Sequence, residues 1–277
     1  MPRVDLHTHS RCSDGALTPP ELVAHAAAAG IDVLALTDHD TIAGLAEAQR
    51  SAETCGIRLV PGVEISATWR SQAIHVLGLW IDPDSAPMLR ALAAQADRRR
   101  LRLRKICAHL SAIGLPGERL QEVVEGQGGL PTRTHLAAAL VAGGHVRQFG
   151  DAFTRYLGRG RVAHVAADWP ALDVVVAWIR MSGGTASLAH PMRYALSAGG
   201  RRQLLADFAA AGGTAIEVVT GSNAAHHVEA CAQLAVQFGL TGSVGSDFHN
   251  PQLSWNPLGR LVKLPHCVIP AWRSHGL

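Results

Sequence analysis

Short apolar runs alternate with longer segments of helical periodicity along most of the chain. Glycine, proline and aspartate bound the apolar runs, which is typical of buried strands in a mainly parallel sheet. Strands are predicted at residues 4–9, 33–36, 58–66, 73–80, 185–191, 215–219 and 241–249. Helices are predicted near residues 19–30, 42–55, 171–181, 201–211 and 224–238. This order predicts an α/β fold that is either a barrel or a doubly wound sheet.

The middle of the chain breaks this alternation. One long helical pattern covers residues 88–114, and shorter helical pieces follow it, separated by glycines and prolines up to about residue 165. No alternating strand pattern of any length interrupts them. We therefore predict a discontinuous barrel domain made of residues 1–98 and 166–277, with a helical insertion, residues 99–165, that covers the site as a lid.

Composition narrows the class of protein. The 277 residues are 48% hydrophobic and show no repeat of fixed period, which suits one large domain or one domain with an insertion. The formal net charge is only +3, and the basic residues between 98 and 105 indicate a local anion site more than a general nucleic-acid surface. The cysteines form no Cys-x-x-Cys pair, which argues against a disulfide framework. The chain starts with a predicted strand instead of a signal sequence, and it has no long apolar run. We therefore predict a cytoplasmic protein with no membrane partner.

Histidines and carboxylates recur at the carboxyl ends of the predicted strands. In the stretch DLHTHSRCSDG, His7 and His9 point to one face if the stretch begins as a strand, and Asp14 follows a turn. The histidine pair alone is equally compatible with two hydrogen-bonded imidazoles in a half-buried strand. Glu64 follows a predicted Pro-Gly turn, and an acid in such apolar surroundings needs a cation. His75 alone is typical of a core histidine.

The recurrence of these residues, more than any single pair, predicts a metal site. Imidazole and carboxylate are ligands that zinc, manganese and iron accept, and the absence of cysteine from the set disfavours a closed structural zinc site. The candidate ligands are His7, His9, Asp14, His39, Glu64, His75, His190, Asp247 and His249.

Six motifs in a fixed order carry a family resemblance. They read HTHSRCSDG, LTDHD, PGVEIS, IHVLG, LAHP and GSDFH, and they cover nearly the whole chain outside the insertion. Together they resemble the polymerase and histidinol phosphatase (PHP) superfamily of metal-dependent phosphoesterases. The chain is most similar to the TrpH-like branch, which includes nucleoside 3′,5′-bisphosphate phosphatases and a 5′-to-3′ exoribonuclease. It differs in having Thr134 where the family more often has proline, and Met192 where glycine is more common.

The resemblance implies a distorted seven-stranded (β/α) barrel of PHP type, with the metals at the C-terminal ends of the strands. It implies two or three divalent ions, with manganese preferred and iron(II) or zinc as alternatives. The implied ligand groups are His7, His9, Glu64 and Asp247 for the first ion, Glu64 as a bridge with His75 and His190 for the second, and Asp14, His39 and His249 for the third.

The resemblance also implies where the substrate binds. The branch has an insertion with a run of arginines and an Arg-x-His element, which here fall at the start of the predicted insertion and at residues 133–135. The implied substrate-binding residues are Arg99, Arg102, Arg133, Thr134, His135, Ser222 and Asn223, and the implied catalytic residues are His39, Asp247 and His249. For each arginine, the alternative is an ordinary surface salt bridge.

A cluster of divalent ions activates water near neutral pH and offsets charge on a phosphoryl group, so no protein nucleophile is needed. We predict a phosphomonoesterase that removes the 3′-phosphate of a nucleoside 3′,5′-bisphosphate such as pAp to give the 5′-monophosphate. The resemblance also implies 5′-to-3′ exonuclease action on short RNA.

Three alternatives compete with this prediction. A histidinol-phosphate phosphatase would not need an arginine-rich insertion, and a non-catalytic metal-stabilised scaffold would not need every ligand. An amidohydrolase would be expected to use a lysine, but the only lysines are Lys105 and Lys263, and neither ends a predicted strand.

Overall fold

A computed structural model of the protein describes residues 2–221, 223–252 and 257–277. Its strands come from the apolar runs, because each run buries side chains on both faces of the sheet. The strands are β1 (Val4–Asp5), β2 (Val33–Leu36), β3 (Arg58–Trp69), β4 (Gln72–Leu79), β5 (Thr185–Leu188), β6 (Ala215–Thr220) and β7 (Thr241–Gly245).

The seven described strands form one sheet in the order β1 to β7. The sheet curls until its edges meet, because the Leu6 amide donates to the Val244 carbonyl at 2.9 Å and the Asp247 amide donates to the His7 carbonyl at 2.8 Å. The result is a nearly closed α/β barrel, which confirms the predicted fold class.

Strand β4 departs from the mainly parallel arrangement. It pairs antiparallel with both β3 and β5, whereas the other pairs are parallel. The cause is the short connection of two residues, Arg70 and Ser71, between β3 and β4, since a parallel pairing needs a crossover of a dozen or more residues.

Two local predictions are wrong. Strand β1 ends at Asp5, and beyond it Thr8 makes only an isolated bridge with Phe248. The predicted turn at Pro61-Gly62 lies inside β3, where the lack of a side chain on Gly62 lets the strand approach Thr37 closely.

The helices cover the outside of the barrel and build the insertion. Helix formation follows local signals, such as the capping box of Thr18 and Glu21, which flank Pro19 and Pro20 at the start of α1. The described helices are α1 (Pro19–Ala28), α2 (Leu45–Cys55), α3 (Ala86–Ala112), α4 (Gly117–Gly126), α5 (Arg133–Ala142), α6 (Phe149–Ala152), α7 (Leu172–Met181), α8 (Ala198–Ala210) and α9 (Ala225–Gln237). None of them combines the length and apolar character needed to cross a membrane.

Helix α3 connects two hydrophobic cores. Its Met88 and Leu92 pack in the barrel core, whereas Leu103 and Leu110 pack in a separate core formed with α4 and α5. No described strand lies between β4 and β5, as predicted for the insertion. The predicted boundary at residue 99 falls inside the continuous α3, and the division into two domains stays a prediction.

Candidate metal centre

The ends of the strands turn their polar side chains into the barrel mouth through an unusual backbone. Of the five described non-glycine residues with positive φ, three lie here: Asp40 (52°), His190 (30°) and Asp247 (56°). Such conformations cost about 1–3 kcal/mol each and persist where the surrounding structure imposes them, often at functional sites. The strain is therefore concentrated at the site predicted from sequence.

The Glu64 carboxylate lies at the centre of the cluster, and Glu64 is a fully buried residue within β3. Its Oε1 is 2.9 Å from His75 Nδ1 and 3.0 Å from His190 Nε2. Its Oε2 is 2.9 Å from His39 Nδ1 and 3.3 Å from His7 Nε2. One carboxylate thus faces ligands from both sides, which is the geometry that a bridging ligand needs.

The nine predicted ligands converge on this region. Within each of three groups, the potential ligand atoms all lie within 4.8 Å of one another. The groups are His7, His9, Glu64 and Asp247; His39, Glu64 and His75; and His9, Asp14, His39 and His249. The first group equals the predicted one, the second contains His39 in place of His190, and the third also contains His9.

The donor atoms of the cluster fit a divalent cation. His7 Nε2 and His9 Nε2 are 3.1 Å apart, and both are within 3.4 Å of carboxylate oxygens. Among the described residues, the buried atoms Asp14 Oδ1, His39 Nδ1 and Glu64 Oε2 accept or donate no well-aligned hydrogen bond. Buried polar atoms without partners are costly, and a shared cation would satisfy them. Nitrogen and oxygen ligands suit manganese, iron and zinc.

Opposite charges attract one another within the cluster. Burial opposes ionisation of Asp14, Glu64 and Asp247, but the neighbouring imidazoles outweigh it and hold the pKa of each carboxyl well below its usual range. Burial alone would lower the pKa of His249, yet Asp14 and Asp247 raise it to about 10. Burial lowers the pKa of His9 to about 3. The site is therefore anionic at its carboxylates and protonated at His249 near neutral pH.

Glu217 on β6 is a buried acid that sequence reasoning missed. Its Oε1 is 3.0 Å from His7 Nδ1, and its Oε2 accepts from the His190 amide at 2.6 Å. A side chain at Gly245 would collide with both His7 and Glu217. Glu217 therefore fixes the His7 ring so that Nε2 faces the cluster. The signal was present, because Glu217 interrupts an apolar strand just as Glu64 does.

Asp38 is a second missed acid, and it holds the loop that carries Asp14. It accepts from the Ser10 amide at 2.7 Å, the Ser10 hydroxyl at 2.6 Å and the Ser13 hydroxyl at 2.6 Å. Burial raises its pKa to about 6, although these hydrogen bonds oppose the shift. The strand end of β2 thus positions a ligand loop from β1.

The predicted arginines lie together where the insertion meets the barrel. Arg99, Arg102 and Arg133 line a pocket with Trp169, and the described lining contains no carboxylate. Arg99 and Arg102 lie over the Trp169 ring at 5.3 and 5.7 Å. Burial, together with Arg133 and Arg99, lowers the pKa of Arg102 to about 10. Crowded positive charge of this kind is complementary to an anion such as a phosphate.

Arg99 differs from its two neighbours because an acid already neutralises it. Its Nε donates to Asp40 Oδ2 at 2.7 Å and its guanidinium donates to Ser66 Oγ at 3.1 Å, both buried. Among the described residues, Arg102 donates to the Val165 carbonyl alone, from Nε at 3.2 Å and from Nη2 at 3.0 Å. Arg102 is therefore the better probe of anion binding, and Arg99 joins the insertion to the residue that follows His39.

The remaining predicted substrate residues separate. Thr134 and His135 lie in the first turn of α5, where their amides donate to Thr132 Oγ1. Burial lowers the pKa of His135, and the charge of the Asp14 carboxylate partly offsets this shift. Asn223 follows β6, across the ring of strands from the insertion pocket. Ser222 lies outside the described residues.

In a comparison with known protein families, residues 5–115 match the PHP domain. A "5'-3' exoribonuclease" of Haemophilus influenzae is 41% identical over 98% of this chain and 98% of its own length. A "3',5'-nucleoside bisphosphate phosphatase" of Chromobacterium violaceum is 39% identical over 99% of this chain and 96% of its own.

The chain belongs to the PHP domain family. Two solved structures agree with this. One is described as an amidohydrolase from Chromobacterium violaceum with bound sulfate and no metal; its TM-score is 0.92 at 39% identity, over 98% of this chain and 95% of that one. The other is described as a putative metal-dependent phosphoesterase from Bifidobacterium adolescentis; its TM-score is 0.81 at 28% identity, over 100% of this chain and 96% of that one. The predicted family and enzyme class, a metal-dependent phosphoesterase, are confirmed.

The lysines of this PHP chain lie away from its metal cluster. Lys105 is exposed on α3, and Lys263 is exposed near the C-terminus. Neither belongs to a candidate metal group of the described residues. The chemistry of the site therefore depends on imidazole and carboxylate, as in the phosphoesterase prediction.

Proposed function

We propose that this PHP enzyme hydrolyses the 3′-phosphate of nucleoside 3′,5′-bisphosphates, such as pAp, to give the 5′-monophosphate. The main support is a pocket in which Arg102 and Arg133 pair with no described carboxylate, next to a cluster of metal-ligand side chains. The two are adjacent, because Asp40 binds Arg99 of the pocket and directly follows His39 of the cluster. A nucleotide with two phosphates would place one at each position.

In this proposal the three groups around Glu64 would hold two or three divalent ions, manganese first. Those ions would activate water and offset the charge of the reacting phosphoryl group. Arg102 and Arg133 bind the 5′-phosphate and orient the ribose. His39 and His249 have side chains that are 12% and 23% exposed at the mouth, and whichever of the two is not bound to an ion is the proposed proton donor to the leaving 3′-oxygen. The helical insertion, residues 99–165, acts as the lid that carries the pocket.

A second activity, removal of nucleotides from the 5′ end of short RNA, is supported by the name of the Haemophilus relative. The same two positions would serve, because the first nucleotide of a 5′-phosphorylated RNA also has phosphorus on both sides of its ribose. A histidinol-phosphate phosphatase remains the less favoured alternative, since its substrate has one phosphate and leaves the arginine pocket without a role.

The test compares a 3′,5′-bisphosphate with the matching 3′-monophosphate. Arg102→Ala should lower kcat/KM for the bisphosphate by roughly ten- to a hundredfold, corresponding to about 1.5–3 kcal/mol for a lost charged hydrogen bond, and should change the monophosphate little. Arg104→Ala, exposed on the same helix, is the control. Equal losses on both substrates would disprove the second-phosphate role, and metal analysis of the purified protein would identify the ion.

A further inference from the structure

Arg193 lies at the rim of the metal centre and belongs neither to the candidate ligand groups nor to the arginine pocket. The positive φ of His190 and the short 3₁₀ turn Pro191–Arg193 bring its guanidinium onto Asp247 Oδ2. The other carboxylate oxygen, Oδ1, faces the cluster, at 3.3 Å from His7 Nε2 and 3.1 Å from His9 Nε2. Arg193 therefore lies on the outer side of this ligand, and its contact is compatible with an ion on the inner side.

Most of the hydrogen-bonding capacity of Arg193 is unused. Only its Nη1 donates within the described part of the chain, so Nε and Nη2 keep their N–H groups for another acceptor. Its side chain is 37% exposed, which opens these donors to the barrel mouth. By contrast, the guanidinium of Arg201 on α8 donates hydrogen bonds to the backbone carbonyls of Pro191 and Leu196.

The order of the strands places Arg193 and the insertion pocket on different sides of the barrel mouth. That pocket joins the barrel at Asp40 and Ser66, at the ends of β2 and β3. In a ring of seven strands, β6 lies opposite the junction of β2 and β3, with β5 and β7 on either side. Arg193 follows β5, and Asn223 follows β6 with a buried amide Nδ2 that has no described hydrogen-bond partner. Unused donors thus line the rim opposite the pocket.

We propose that Arg193 forms a subsite for the second nucleotide of a single-stranded RNA, a role that a mononucleotide substrate does not use. This inference depends on the proposed function. Water adds its hydroxyl to the phosphorus, the bond between that phosphorus and the 3′-oxygen of the first nucleotide breaks, and the 3′-oxygen takes the other proton of the water. The phosphate stays on the second nucleotide. Because the first nucleotide extends from the cluster toward the arginine pocket, the rest of the chain leaves on the opposite side, where Arg193 meets its backbone.

The experiment measures kcat/KM for pAp and for a 5′-phosphorylated pentaribonucleotide with wild type, Arg193→Gln and Arg193→Lys. The ratio of pentanucleotide to pAp activity should fall by about tenfold or more in Arg193→Gln and recover partly in Arg193→Lys. Arg202→Gln, which removes an exposed arginine of α8, should keep the wild-type ratio. Metal content and thermal unfolding of each variant show whether the contact with Asp247 alone was damaged.

A binding measurement separates this inference from the proposed function. Fluorescence anisotropy of a pentanucleotide with a phosphorothioate first linkage should show weaker binding by Arg193→Gln and a salt dependence reduced by about 0.7 in slope. Equal losses on pAp and pentanucleotide, or unchanged ratios and binding, would overturn the subsite. If wild type hydrolyses neither substrate, the proposed function fails, and the anisotropy result alone decides the subsite.

Discussion

His249 carries the proton that a metal must displace. Asp14 and Asp247 hold its imidazole in the charged form, with a pKa of about 10 against the effect of burial. A histidine ligand must be neutral, so metal uptake at pH 7.5 should release at least about one proton, and affinity should rise with pH toward 10. Titration calorimetry in HEPES and in Tris measures the released protons from the difference in heat.

The matched variants for this measurement are His249→Gln, which should release fewer protons, and the exposed His25→Ala, which should behave as wild type. Identical heats in the two buffers would contradict a protonated His249 in the metal-free protein.

Glu217 tests how far metal affinity depends on a residue that touches no ion. Glu217→Gln keeps the size of the side chain but weakens its hold on His7 Nδ1 at 3.0 Å. Metal affinity should fall by about 10- to 100-fold, because outer partners fix the orientation and basicity of histidine ligands. The exposed Glu229→Gln on α9 is the control, and unchanged affinity in Glu217→Gln would show that Gly245 packing alone positions His7.

At the residue scale, the ligands were predictable because histidines and acids recur at the predicted strand ends. The residues that support those ligands were not, because each occurs singly in the sequence. Histidines and acids at one strand end after another stood out in the sequence, and the structure brings them together around Glu64. Asp38 lies within the motif LTDHD, but nothing in the sequence separates a supporting acid from a ligand there, and Arg193 gave no signal because a single arginine is common on surfaces. Their partners are distant in sequence, so only the closed barrel reveals them.

The connection between β2 and α3 is the most consequential link between elements. Asp40 is buried and accepts from Arg99, from the Ser66 amide at 2.8 Å and from Gln95 at 3.0 Å. Arg99→Ala should lower the free energy of unfolding by about 3–5 kcal/mol, because it leaves a buried carboxylate without its cation. Chemical denaturation at pH 7 measures this loss.

The pH dependence of that loss follows from Asp40. Burial raises the pKa of its carboxyl, but Arg99, the hydrogen bonds from Ser66 and the charge of His39 together outweigh burial and lower it. The pair with Arg99 therefore stabilises the fold fully above the pKa of an unfolded aspartate and less as pH falls through the lower folded value. The difference between Arg99→Ala and wild type should therefore persist at pH 5 and shrink as pH falls below about 4. The control is Arg100→Ala, whose 3.5 Å surface pair with Asp97 should contribute less than about 1 kcal/mol; a similar loss there would contradict the assignment.

Periodicity identified most elements, and pairing partners decided the rest. The pattern of apolar runs predicted strands close to β2, β5 and β6, because those runs are buried on both faces. It could not show that β4 reverses direction, since a two-residue connection looks like any short loop in sequence. It also placed a turn at Pro61, where contact with β2 keeps the chain extended.

At the scale of the whole molecule, metal binding should stabilise the barrel more than the insertion. The candidate ligands lie in the barrel strands or in the segments that follow them, whereas the core around Leu103 and Leu110 contains none. A metal at a hundred times its dissociation constant should add about 2.7 kcal/mol to stability. Hydrogen exchange with and without EDTA should show protection gained in β3 and β7 and little change in α4. Uniform protection would show that the two cores open together.

Helix α3 also determines how the protein can be cut and rebuilt. With 27 residues it is about 40 Å long and passes unbroken from the barrel core to the insertion core. A splice at residue 99 would create a new helix end with unpaired carbonyls and would deprive Asp40 of its guanidinium. A minimal catalytic module must therefore keep α3 beyond Arg99. The insertion and the wall of the active site share helix α3, so replacing the insertion with a different one requires that helix to be kept.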